Sequence, residues 1–293
     1  MPATTSPRLP AVWLVLVGIA SVQLGAAVAK GLFDELSPTA LVWLRLVTSA
    51  VVLAAIARPR VRGLGRAEWS VVLAFGASLA LMNWAIYQSF ARIPLGIAVT
   101  LEFVGPLAVA LLGSRRPRDL LWVALAAGGV VLLGLQPASL TAAGVALALL
   151  AGAAWAAYIL LSARTGRLWS GLDGLALASV VAALLLAPAA IPSGGADLLD
   201  PRLLLLGAVV GLLSSVVPYS LEMVALRTLR PATFGILMSL EPAAAALAGL
   251  LVLRELLTPL QLLALACVVA ASVGATRSSR RADPGPEEVV ASG

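Results

Sequence analysis

The sequence has no histidine and a single cysteine, Cys267, and only 12% of its 293 residues are charged. Without histidine it lacks both the commonest metal ligand and the commonest proton carrier near neutral pH, so any proton chemistry falls to carboxylates. A lone cysteine forms no intramolecular disulfide and no CxxC pair. So low a charged fraction, about half that of ordinary soluble domains, excludes the soluble globular class. Also missing are a GxSxG elbow, a Walker-type phosphate loop and any metal-ligand cluster, so neither an enzyme activity nor a cofactor, a metal or ATP-driven transport is expected of this chain. What fills the sequence instead is hydrophobic: 61% of residues, with a mean hydropathy of +1.02.

Uncharged runs at Leu9 to Ala29, Trp69 to Ala91, Gly174 to Ala196, Leu203 to Leu221 and Leu256 to Thr276 each reach the roughly 18 residues that a membrane-crossing helix needs. Leu120 to Ala163 is too long for one crossing and breaks at Gln136-Pro137, giving two. Three further runs, starting at Pro38, Pro94 and Pro231, have the right length, but each encloses one ionisable residue: Arg45, Glu102 and Glu241. The expectation is an all-α integral membrane protein of ten transmembrane helices. Ala27-Val28-Ala29 resembles a signal-peptidase site, but the preceding run is too long for a signal h-region and nine more spans follow, so it is read as span 1.

The formal charge of +6 raises nucleic acid as a partner, and the placement of the basic residues removes it. With the N-terminus inside, cytoplasmic segments hold fifteen arginines, whereas outer segments hold only Lys30, Arg92, Arg202 and Arg254. That bias is the positive-inside rule, with both termini cytoplasmic and the lipid bilayer as the first partner.

Sliding the chain against itself by 134 to 136 residues brings Gly18 onto Gly152, Lys30 onto Arg164 and Pro106 onto Pro242. Each half carries five spans, and an odd number inverts the second copy, the architecture of many secondary transporters. The expected organisation is a cytoplasmic N-tail (1–10), a first five-helix repeat (11–135), a second (141–276) and a disordered cytoplasmic tail (277–293).

Charges within the bilayer are costly, about 2.5–3.5 kcal/mol each on insertion scales, and mark function by default. Arg45 lies seven residues after Pro38 and Glu102 eight after Pro94, at nearly the same depth, so they either form a structural ion pair or handle substrate and protons. Glu241 lies ten residues into its span, near the midplane, on a face related to that of Glu102, and its neighbour Pro242 offers the alternative of a carboxylate serving a kink. Polar stripes run through Gly76, Ala80, Asn83 and Tyr87; through Gln23, Ala27 and Lys30; through Ser215, Tyr219 and Glu222; and through Trp155, Tyr158 and Ser162. Such stripes suit either a cavity wall or helix packing, and Lys30 and Glu222, near span ends, are read as snorkelling to the interface.

Several stretches resemble the drug/metabolite transporter superfamily, EamA type: SVQLGAAVAKGLF (21–33), PLGIAVTLEFVGPLAVALLGSRRP (94–117), AGAAWAAYIL (151–160), VPYSLEMVAL (217–226), FGILMSLEPAAAALAGL (234–250) and LTPLQLLALACVVAASVGAT (257–276). The resemblance covers nearly the whole chain and implies two inverted five-helix EamA repeats around a central cavity, exporting small metabolites. In one place the sequence departs: the acidic residue that Glu255 supplies after span 9 has no counterpart in the first half, where Gly113-Ser114-Arg115 stands. Within the superfamily the resemblance implies proton-coupled export of threonine- or homoserine-like amino acids across a bacterial inner membrane. Glu102 or Glu241 would then take the substrate ammonium or the exchanged proton, Arg45 the carboxylate, and Asn83, Tyr87 and Tyr158 orienting contacts. Three rivals stay open at this point: efflux of cationic or hydrophobic drugs, a solute channel, and a non-transporting membrane scaffold. The oligomeric state is not readable from the residues.

Overall fold

The computed structural model describes residues 11–59, 61, 63–112, 119–134, 140–169, 172–226, 229 and 231–280. The N-tail, the turn expected at Gln136-Pro137 and residues 281–293 of the tail lie outside these. Among the described residues the chain is helical with no strand: α1 (Ala11–Gly31), α2 (Pro38–Ala57), α3 (Arg66–Phe90), α4 (Leu95–Glu102), α5 (Val104–Leu112), α6 (Asp119–Gly134), α7 (Ala142–Leu168), α8 (Asp173–Gly194), α9 (Pro201–Gly211), α10 (Val217–Leu226), α11 (Pro231–Met238), α12 (Glu241–Leu253) and α13 (Pro259–Arg280). A 3₁₀ turn (Gly195–Leu199) follows α8, and a π-helical segment (Leu212–Val216) joins α9 to α10. The last helix thus runs on through Arg280, past the point where the sequence reading begins the tail.

The starts follow local chemistry. Pro38, Pro201, Pro231 and Pro259 open their helices, where a missing N–H costs nothing. Ser37 caps α2 by accepting the Ala40 N–H at 3.2 Å, and Thr141 and Asp200 do the same for α7 and α9. Eight stretches are long and apolar enough to cross a membrane, and two shorter apolar ones lie at Leu95–Val109 and Leu120–Leu133. Leu184 and Leu251, about two-thirds exposed, point outward as lipid-facing side chains do, while Tyr87, Leu95 and Leu101 are fully enclosed. The chain is a multi-pass membrane protein.

Three interruptions place polar groups inside this bundle. The spans expected to run on from Pro94 and Pro231 are each broken, at Phe103 and at Ser239-Leu240. Proline lacks an N–H for the carbonyl four residues back, and its ring clashes with that carbonyl. Pro106 therefore ends α4 at Glu102, and Pro242 ends α11 at Met238, both four residues earlier. The third interruption is the π-segment. Val217 donates its N–H to the Leu212 carbonyl, and Pro218 has none to give to the carbonyls of Leu213 or Ser214. Other helices supply the missing donors: the Ser21 hydroxyl reaches Leu213 at 2.7 Å, and Arg45 Nη2 reaches Ser214 at 3.0 Å.

Close backbone contact fixes the breaks in space. A Cβ added at Gly105 would lie 1.9 Å from the Gly152 carbonyl oxygen, and one at Gly152 would lie 2.6 Å from that of Glu102. The α4–α5 break thus sits directly on α7. Gly207 and Gly211 likewise bring α9 onto α2 at Leu44 and Thr48.

Candidate functional site

The polar groups fall in two layers. The upper layer ties together the helix ends that the arginine distribution places outside. Lys30 Nζ meets Glu255 Oε1 at 2.5 Å and donates to the Ile93 carbonyl at 2.7 Å, while Glu255 Oε2 accepts the Leu95 N–H, the first of α4, also at 2.7 Å. Lys30 is therefore an internal tie, not the interfacial snorkel that its position near a span end suggests. Arg202 forks onto the Glu35 carboxylate, Ser37 donates to Ser193 Oγ at 3.0 Å, and Gln88 donates to Thr39 Oγ1 at 2.9 Å.

The second layer lies deeper. Arg45, half-buried on α2, donates through Nε to Ser215 Oγ at 3.3 Å and through Nη2 to the Ser214 carbonyl, and its Cζ stands 5.6 Å from the centre of the Tyr87 ring. That spacing is within cation–π range. Glu102 and Glu241, 9% and 7% exposed, occupy the last position of α4 and the first of α12. The Arg45 charge acts on Glu102, yet the two are not within ion-pair distance: among the described residues the ion pairs are Lys30–Glu255 and Arg202–Glu35. Glu241 feels the charges of both Glu222 and Glu102. Tyr158 of α7 packs on Phe75, ring centres 4.9 Å apart, and lies beside Tyr219 of α10. Tyr219 in turn lies within the electrostatic reach of Arg45, Glu222 and Glu241.

Of the six residues singled out by the sequence, five thus share one neighbourhood: Arg45 with Tyr87 directly, Glu102 and Glu241 by their charges, and Tyr158 through Tyr219. Asn83 stands apart, its Nδ2 donating back to the Leu79 carbonyl of its own helix at 2.8 Å. Gly76, at the other end of the same stripe, packs on Val181 and Ala178. The structure adds Ser214, Ser215, Tyr219 and Glu222. Their signal was present in the i, i+4, i+7 spacing of 215, 219 and 222, but only the fold shows that this face looks inward. Among the described residues, three buried side-chain polar atoms have no hydrogen-bond partner: Gln23 Oε1, the Tyr87 hydroxyl and Ser214 Oγ.

A model of the EamA-like transporter family matches residues 142–277. The chain is 44% identical over 283 residues to a protein of Escherichia coli (strain K12) named threonine/homoserine exporter RhtA, covering 94% of this chain and 96% of that one. It is 43% identical over 288 residues to the protein of the same name from Salmonella typhimurium (strain SL1344), covering 96% and 97%. One solved structure superposes with a TM-score of 0.63 at 19% identity, across 93% of this chain and 99% of the other, a likeness of fold. With a family model over its second half and relatives of this identity along almost its whole length, the chain belongs to the EamA-like transporter family.

Proposed function

We propose that this chain exports small neutral amino acids, threonine- or homoserine-like, from the bacterial cytoplasm across the inner membrane, by alternating access driven by proton exchange. The observation that carries this reading is its near end-to-end similarity to proteins named threonine/homoserine exporters. The geometry supports it. Eight long apolar stretches and two shorter ones are consistent with ten crossings. The helix ends at Glu102 and Met238 stand 136 residues apart, the offset of the internal similarity, which supports two inverted five-helix repeats at 11–135 and 141–276. Arg45, with two of its three nitrogens already held, presents the third to the substrate carboxylate. Glu102 and Glu241 exchange the substrate ammonium for a proton, each kept from water at the end of a half-helix. Tyr87 and Tyr158 orient the substrate.

The test is movement of radiolabelled threonine and homoserine into inverted membrane vesicles, with and without an imposed pH gradient, against vesicles lacking the protein. Gradient-dependent accumulation is expected. Absence of accumulation of either amino acid, with the protein shown to be folded and inserted, overturns the reading.

A further inference from the structure

Buried polar atoms are almost always hydrogen-bonded, so the three that are not require a reason. Ser214 Oγ has one in packing. A Cβ added at Gly25 would lie 2.3 Å from it, so the hydroxyl fills the slot that this glycine leaves on α1. Gln23 and Tyr87, 3% and 0% exposed, have no such account. A glutamine carbonyl and a phenol enclosed and left empty-handed cost stability unless something else meets them during the working cycle.

Their position says where that something sits. Gln23 is seven residues below Lys30 on α1, nearly two full turns, so the two share a face. Lys30 is bonded to Glu255, and Glu255 to the first N–H of α4. Glu102 is seven residues below Leu95 on α4, and Arg45 seven below Pro38 on α2. From one tied outer layer, Gln23, Glu102 and Arg45 therefore descend by the same distance, about 10 Å. Tyr87 joins them through its ring, beside Arg45 and 6.1 Å from that of Phe33, which follows Lys30 by three residues. The ionic groups of the layer suit the carboxylate and ammonium that every amino acid carries. The two unpartnered groups are neutral, one an acceptor and one both donor and acceptor, which suits a hydroxyl.

We propose that Gln23 and Tyr87 form the subsite that reads the side-chain hydroxyl of the exported amino acid, and so set the preference for hydroxylated substrates over their apolar isosteres. This inference rests on the amino-acid export reading. A site whose buried polar groups are left unpaired by the wrong substrate discriminates strongly, whereas an apolar pocket does not.

The experiment compares threonine with valine, its hydroxyl-free isostere, in the vesicle assay, for the native protein, Gln23→Met and Tyr87→Phe, each checked for insertion and folding. Tyr87→Phe removes one oxygen only and keeps the ring against Arg45, so it remains informative if Gln23→Met fails to fold. The native protein is expected to favour threonine. Either variant is expected to cut the threonine-to-valine ratio of kcat/KM about tenfold or more, through loss of threonine transport with valine unchanged or improved. If the native protein moves threonine but the ratio stays the same in the variants, whether both rates fall together or neither does, Gln23 and Tyr87 are structural and the inference is overturned. If the native protein moves no threonine, the export reading itself fails, and this inference with it.

Discussion

Arg45 shows how much of the site depends on a shape that charge alone does not provide. Its planar guanidinium holds Ser215 with Nε and the Ser214 carbonyl with Nη2 while lying over Tyr87. A lysine ammonium is a point charge on a flexible stem and reproduces neither the fork nor the stacking. Arg45→Lys is therefore expected to lower threonine export about tenfold, mainly through a raised KM, and transport at saturating substrate would separate this from misfolding. Glu102→Gln and Glu241→Gln remove the carboxylates while keeping their volume. Each is expected to reduce pH-gradient-driven export about tenfold or more, the scale of one lost hydrogen bond to a charged group. If both export normally in vesicles with normal expression, the carboxylates do not carry the coupling. The candidates Arg45, Glu102 and Glu241 were legible in the sequence because a charge inside an apolar run stands out. Ser214 was not, because a serine within a helix ordinarily satisfies itself by back-bonding. It is Pro218, four residues beyond Ser214, that turns this stretch outward from its own helix.

Among the helices, the sequence predicted where crossings begin and end far better than how they run between. Prolines at helix starts were plain, and so was the apolar length of most spans. The interruption at Phe103 was not expected, and at Ser239-Leu240 a kink at Pro242 stood only as an alternative, because a proline in a long apolar run kinks or breaks a helix according to what its neighbours offer. Here α7 offers Gly152, and the close approach at Gly105 leaves no room for a side chain. Gly105→Ala is expected to lower thermal stability in detergent and abolish most export, whereas Gly128→Ala on α6, where an added Cβ meets nothing within 4 Å, is expected to leave both intact or slightly raise stability. The tie between α1, α4 and the segment after α12 makes a second prediction at this scale. Glu255→Gln, or Lys30→Met, leaves a partly enclosed partner unmet and is expected to destabilise by about 1–3 kcal/mol. The double variant should cost less than the sum, and additivity in thermal unfolding would show that the 2.5 Å contact contributes no coupling.

For the molecule as a whole, the arginine bias and the polar ties make opposite ends of the bundle chemically distinct. Arg58, Arg66, Arg164 and Arg277 stand at the ends assigned to the cytoplasm, while the interhelical bonds of Lys30, Glu35, Ser37 and Gln88 gather at the other. Reporter fusions at the N- and C-termini are both expected to read as cytoplasmic, and an external signal from either would overturn the assigned orientation. The bond from Ser37 to Ser193, joining the two halves of the chain at the end that the arginine distribution assigns to the outside, has a practical consequence. Because Cys267 is the one native thiol, Cys267→Ser gives a thiol-free background in which a cysteine pair at 37 and 193 is the sole redox couple. Hydroxyls that meet at 3.0 Å mark positions within reach of a disulfide, and the oxidising side of the membrane would close it without added reagent. Transport that stops on oxidation and returns with reductant would identify this seam as a moving joint; transport that continues unchanged would make it a fixed hinge about which other parts turn.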